Sequence, residues 1–302
     1  MTDVGLRQKY RDPEVVGFWR EMSIRGLQTV EARVLARYAP PGSRIVDLGC
    51  GAGRVALATD PIVYTVVGLD LVWEMVLTAS ELLRGVGRTP RVVQADLTSI
   101  PCRDRAFGVA VVFVASFQHV QGRAARQAAL AEIARVLGPD GRFILAVDNL
   151  APALACYGWW LARRLIPTRA ARRAVAPEAA PTSADRRLSE RPEHIGRGAW
   201  HVRGVMRTLR WRTWADVVDA VRIAGLAAGE PGDTRIEQVA LPPTPGRVSY
   251  HLYRRRELID DASRAGLHLV ASHPGSELSQ GDDDPIWIRS RHKQVFYVFR
   301  RG

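Results

Sequence analysis

The nine residues Val46-Asp47-Leu48-Gly49-Cys50-Gly51-Ala52-Gly53-Arg54 place three glycines at alternate positions behind an aspartate. Without a Cβ, glycine lets a ligand approach the backbone closely. A helix starting there would offer free N–H groups to an anionic or polar ligand end. A dinucleotide cradle would read G-x-G-x-x-G. The position three beyond Gly51 is instead Arg54, and the third glycine arrives early at Gly53, which argues against a nicotinamide cofactor. Asp70 closes the apolar run Val63 to Leu69, 21 residues after Gly49. A carboxylate there suits the two ribose hydroxyls of an adenosine-type cofactor, although a lone aspartate also caps helices. For proton transfer His119 is the best-placed side chain, with a core-edge histidine as its plainer reading. His201 and His251 are weaker candidates, and no catalytic residue is assigned. Cys50, Cys102 and Cys156 are far apart and form no CxxC pair, so neither a metal site nor a disulfide framework is expected, and a reducing cytoplasm is the natural compartment.

These residues need elements to hold them. Apolar positions at helical spacing predict two helices over 14–38, stopped by Pro40-Pro41-Gly42. Strands are expected at 44–49, 63–69, 91–94, 107–114 and 142–147. Helices are expected from Asp70 to about Leu83 and over 123–137, the latter ended by Gly138-Pro139-Asp140-Gly141. Strand–helix alternation over 43–148 implies a mostly parallel, doubly wound α/β sheet covered on both faces. After a long break, order returns with a helix near 254–265 and strands at 267–272 and 294–300. The division is therefore 1–149 as N-terminal helices and core, 150–245 as an insertion with helices of its own, and 246–302 completing the sheet.

Taken together, these segments resemble the class I S-adenosyl-L-methionine (SAM)-dependent methyltransferases. Asp47-Leu48-Gly49-Cys50-Gly51-Ala52-Gly53 is similar to their first motif and Val66-Val67-Gly68-Leu69-Asp70 to their second. Val93-Gln94-Ala95-Asp96-Leu97 resembles the adenine-binding segment. Phe113 to Val120 resembles the segment after the fourth strand that flanks the cofactor, and Glu132 to Arg142 the family's helix-turn-strand stretch. The resemblance implies a Rossmann-like seven-stranded methyltransferase sheet with SAM as cofactor. Gly49, Gly51 and Gly53 would line its methionine end, with Asp47 near the amino group. Asp70 would hold the ribose, with Leu71 packed on the adenine. Asp96 would accept from the adenine N6, and Leu97 would donate through its backbone. Met75 and Val114 match positions beside the cofactor. Val72 departs from the small polar residue common there, and the insertion resembles nothing in the family.

Charge is uneven along the 302 residues. Residues 151–215 hold thirteen arginines against four acidic side chains, a net +9 within an overall +12. Such a segment could attract nucleic acid, an acidic substrate or a membrane surface, or simply solvate a surface. Five of the eight tryptophans, Trp159, Trp160, Trp200, Trp211 and Trp214, fall in the insertion. They suit a lid over an apolar substrate, or the insertion's own small core. The apolar run Leu150 to Ala162 is too short to span a bilayer, and the polar N-terminus carries no secretory h-region. The expected activity is methyl transfer to a small or medium-sized metabolite at O, N or C. A tRNA methyltransferase using the basic insertion is the alternative, and a cofactor-binding module without activity the third reading.

Overall fold

In the computed structural model the described residues are 4–114, 116–148, 233–236, 248–275 and 294–302. They belong to one compact unit, Met1–Ala153 with Arg222–Gly302. The five insertion tryptophans, His201, Cys156 and most of 150–245 lie outside the described residues, and with them the expected helices of the insertion.

Three helices come first: α1 (Val4–Arg11), α2 (Pro13–Arg25) and α3 (Thr29–Tyr38). Pro13 opens α2 behind an Asp12 side chain that accepts from Glu14 N–H, and Gly26 follows its last residue with a φ of 84°; both are favoured helix punctuation. The helix α1 was not expected from the sequence, since Leu6 and Tyr10 alone give too short an apolar stripe to read. Strands and helices then alternate: β1 (Arg44–Leu48), α4 (Arg54–Ala58), β2 (Thr65–Asp70), α5 (Trp73–Gly85), β3 (Val92–Gln94), β4 (Phe107–Val112), α6 (Arg123–Val136) and β5 (Leu137–Asp148). A short 3₁₀ turn, Ser116–His119, follows β4.

The C-terminal part adds β6 (Asp233–Ile236), β7 (Val248–His251), α7 (Arg255–Arg264), β8 (Leu267–Pro274) and β9 (Gln294–Arg301). Seven strands form one sheet in the order β3-β2-β1-β4-β5-β9-β8. The first five are parallel, and β9 runs antiparallel between β5 and β8. This is the expected seven-stranded arrangement, with the tail supplying its last two strands. Separately, β6 and β7 pair antiparallel, so the sequence boundary at 245 falls between two partnered strands.

One detail departs from the expected turn at Gly138-Pro139-Asp140-Gly141. The strand β5 starts directly after α6 at Leu137, paired with Phe107, and Arg142 then pairs with Val109. The four residues bulge out of a continuing strand, with Asp140 at a φ of 58°.

Alternating side chains bury both faces of the sheet. Val46, Leu48, Ala110 and Val112 pack with Leu130, Ile133, Leu258 and Ala262 beneath α6 and α7. Ile45, Val109, Val111, Ile144 and Val298 pack with Val30, Val34 and Leu35 of α3. The strand order reverses between β1 and β4, and ligands of open α/β sheets bind in the crevice at such a point, beyond the strands' carboxyl ends.

Candidate cofactor and acceptor site

A cavity of about 430 Å³ occupies that crevice, a size usual for small-molecule sites. The glycine loop forms one wall. Gly49 and Cys50 N–H both donate to the Leu69 carbonyl, at 2.8 and 3.0 Å, which pins the loop to the end of β2. Gly49 has a φ of 73°, and a Cβ there would stand 2.5 Å from the Ser116 Cβ. Glycine is therefore required twice over, by backbone sign and by close packing. Gly53, at the start of α4 with a φ of 84°, packs on Ala79, 3.1 Å from its would-be Cβ, and is not among the cavity-lining residues. Gly51 does line the cavity, and a Cβ there would meet nothing within 4 Å.

Asp70 is locked by two backbone donors. Its Oδ2 accepts Gly51 N–H at 2.8 Å and its Oδ1 accepts Val72 N–H at 2.9 Å. Burial raises its pKa while these amides oppose the rise. Each oxygen keeps a second lone pair for a ligand hydroxyl.

Asp47, on β1, is 3% exposed, lines the cavity and accepts no hydrogen bond from the described residues. Burial pushes its carboxyl up to about 7; Arg54 pulls the other way, and the carboxylates of Asp70 and Glu31 reinforce the rise. Such a group welcomes a cationic ligand. Asp96 directs Oδ1 to the N–H and hydroxyl of Thr98, at 2.9 and 2.8 Å. Its other oxygen is left for a ligand donor. Leu71, Met75, Leu97 and Val114 also line the cavity. Val114 has a φ of 54°, a strained conformation for a β-branched residue of the sort concentrated at functional sites.

Sequence reasoning missed a buried ion pair beneath the loop. Arg54, 6% exposed, is bidentate on Glu31 of α3, 1% exposed, with Nη2 to Oε1 at 2.7 Å and a second contact from Nη1 to Oε2. Glu31 also accepts Gln28 N–H at 2.9 Å, completing the start of α3. The available signal was an arginine opening a helix behind a glycine loop, a place where its charge opposes the helix dipole and calls for a carboxylate.

The rest of the lining comes from sequence-distant elements: Leu6, Tyr10 and Trp19 of α1 and α2, with His119, Ala125 and Ala128. Only His119 among these was singled out beforehand. Gln118 fastens its turn, donating to the carbonyls of Asp148 and His251 at 3.2 and 2.7 Å and accepting from Asp148 N–H and the Tyr250 hydroxyl at 2.7 and 2.8 Å. His119 Nδ1 lies 3.0 Å from the Ser249 carbonyl oxygen and Nε2 lies 3.3 Å from the Tyr10 hydroxyl. The Tyr250 ring meets the imidazole edge to face. His251, the other described histidine candidate, is buried on Glu257 at 2.9 Å and does not line the cavity. No helix among the described residues is long and apolar enough to cross a membrane.

Comparison with known proteins agrees with this geometry. Residues 46–145 match a methyltransferase domain family. The chain is 34% identical over 146 residues to an uncharacterized methyltransferase, YcgJ, of Bacillus subtilis, covering 48% of this chain and 53% of that one. It is 30% identical over 108 residues to a tRNA (carboxymethyluridine(34)-5-O)-methyltransferase of Arabidopsis thaliana, covering 36% of this chain and 24% of that one. The matches thus span about half or less of these curated relatives. A solved SAM-dependent methyltransferase from Methanosarcina mazei shares the fold at a TM-score of 0.53 and 15% identity, over 91% of this chain and 98% of that one.

Proposed function

We propose, from the premise that residues 46–145 form a class I SAM-dependent methyltransferase domain, that this protein methylates a small or medium-sized metabolite at oxygen, nitrogen or carbon. The observation that carries the reading is the cavity at the β1–β4 switch point. It brings together a buried acid that accepts no hydrogen bond from the described residues, an open glycine and an amide-locked aspartate. SAM supplies, when bound, a methyl group on a sulfonium sulfur.

The residues suit that group. Gly49 and Gly51 would lie along the methionine end, and Asp47 would receive the ammonium. Asp70 would accept from the ribose hydroxyls, Leu71 and Met75 would pack on the adenosine, and Asp96 with the Leu97 amide would read the adenine edge. Val114 would flank the sulfur side. Methyl transfer is an in-line displacement, so much of its acceleration comes from holding acceptor, methyl and sulfur in line. The walls formed by Leu6, Trp19, Ala125 and Ala128 favour a largely apolar acceptor.

The second reading, a tRNA acceptor, draws on the net +9 of residues 151–215 and on the Arabidopsis relative. Calorimetric titration with SAM, S-adenosylhomocysteine (SAH) and NADH tests the class. Micromolar binding of the first two and none of NADH is expected, and binding of NADH alone overturns it. Bulk tRNA at 50 and 200 mM salt separates the acceptors, because phosphate contacts release counterions and bind with steep salt dependence. A metabolite enzyme shows no such binding.

A further inference from the structure

The acceptor wall carries a proton path. A carbonyl oxygen can only accept, so the 3.0 Å contact from Ser249 assigns the proton of the neutral imidazole to His119 Nδ1. Nε2 then holds the lone pair, and the Tyr10 hydroxyl, 3.3 Å away, donates to it. Both side chains line the cavity. The imidazole is held from three sides: Gln118 clamps its turn to β5 and β7, Tyr250 packs edge to face, and the Ser249 carbonyl orients Nδ1. A core histidine needs no such orientation toward a cavity. A base does, because its lone pair must meet the acceptor in one geometry. The 3.3 Å separation is typical of catalytic contacts that tighten once substrate is present.

We infer that His119 is the proton acceptor of the reaction, reached through Tyr10, and that the methyl acceptor is therefore a protic group, a hydroxyl or an amine N–H. The inference rests on the methyltransferase reading above. As the acceptor heteroatom attacks the methyl carbon, its lone pair forms the new bond to carbon. The carbon–sulfur pair remains on sulfur, leaving a neutral thioether. The acceptor's proton passes to Tyr10 Oη while the Tyr10 proton passes to His119 Nε2. One positive charge is conserved, leaving sulfur and arriving on the imidazolium, which later releases its proton to water. The ionisable groups carried by α1 and β7, packed around His119, are Arg7, Lys9, Tyr10, Arg11, Tyr250 and His251, and Asp148 at the end of β5 accepts from the Tyr250 hydroxyl at 3.1 Å.

Two measurements on the full chain test this. Nitrogen-15 NMR of the histidine side chains in the SAH-saturated protein, with the His119 signals assigned by their loss in His119→Asn, should show the Nδ1–H tautomer. An Nε2–H tautomer overturns the inference, whereas failure of SAH to bind overturns the methyltransferase reading instead. The second measurement is methyl transfer from labelled SAM to 4-nitrophenol, benzylamine and benzoate. Turnover of the phenol or the amine, whichever identifies the protic class, should show an acidic limb in its kcat–pH profile. His119→Asn should remove that limb and lower kcat about a hundredfold or more, and Tyr10→Phe should lower kcat while keeping the limb. Equal transfer by His119→Asn, or wild-type transfer confined to benzoate, which carries no proton to lose, overturns it. Where none of the three turns over, the tautomer decides alone.

Discussion

The two walls of the cavity are built on different principles. The wall proposed for the cofactor comes from residues 47–97 and is fastened by main chain: Leu69 O to Gly49 and Cys50, and Asp70 to Gly51 and Val72. The wall proposed for the acceptor gathers side chains from Leu6 to Ala128 and is fastened by side-chain contacts such as Gln118 to Tyr250 and His119 to Tyr10. A wall made of backbone at the end of a sheet is fixed by the fold itself, which suits a cofactor that does not change. A wall made of side chains can be rewritten one residue at a time, which suits an acceptor that differs between relatives.

The comparison breaks most visibly if the cofactor wall depends on one side-chain pair beneath it. Glu31→Ala strands Arg54 as an unpaired buried charge, so unfolding free energy should fall by about 3–5 kcal/mol, read from denaturant melts. Glu31→Ala with Arg54→Met should recover most of it, because an apolar pair carries no stranded charge. No recovery would mean that Arg54 has a second role on the cavity it lines.

Next in size is Asp70→Ala. It removes the carboxylate proposed to accept the ribose hydroxyls and leaves the Gly51 and Val72 amides without their partner. Two lost hydrogen bonds with buried donors correspond to about a hundredfold weaker SAH binding by calorimetry. Unchanged affinity would remove Asp70 from the site.

The same division explains what the sequence made readable. The strands of the sheet were legible, and the glycine loop and Asp70 stood out as candidates, because each lies in a short continuous segment whose periodicity or spacing carries its meaning. At Gly53 the packing of Ala79 and a left-handed turn already call for glycine, a requirement that spacing alone does not reveal. The pair Glu31–Arg54, the helix α1 with Tyr10, and the β6–β7 pairing all depend on contacts between distant segments, which no local pattern encodes. His119 stood out by type and place, yet its orientation by Ser249 and Tyr10 spans 130 and 109 residues of chain.

A smaller effect follows from Asp47. Its folded pKa is raised from 3.8 to about 7 by burial, so the cofactor-free protein keeps a proton that the unfolded chain has lost. Asp47 thus lowers stability progressively as pH rises from about 4 to 7, with no further change above. A ligand ammonium favours the ionised form, so binding expels that proton below pH 7. SAH affinity should rise by up to about tenfold per pH unit toward pH 7 and then level. Asp47→Asn should flatten the slope. A slope that survives the substitution assigns the titration to another group and separates Asp47 from the ammonium.

The smallest effect sharpens the comparison most. The 3₁₀ turn reaches the glycine loop through the Ser116 hydroxyl, which donates to the Gly49 carbonyl at 3.3 Å, and the Tyr10 ring packs with Val72 and Met75. Tyr10→Phe keeps that ring and His119→Asn keeps Ser116, so both should leave SAH affinity within roughly twofold of wild type. A tenfold loss in either would show that the acceptor wall closes on the cofactor as well. The side-chain wall would then be no freer to vary than the backbone wall it faces, because each substitution made for a new acceptor would be felt in cofactor binding.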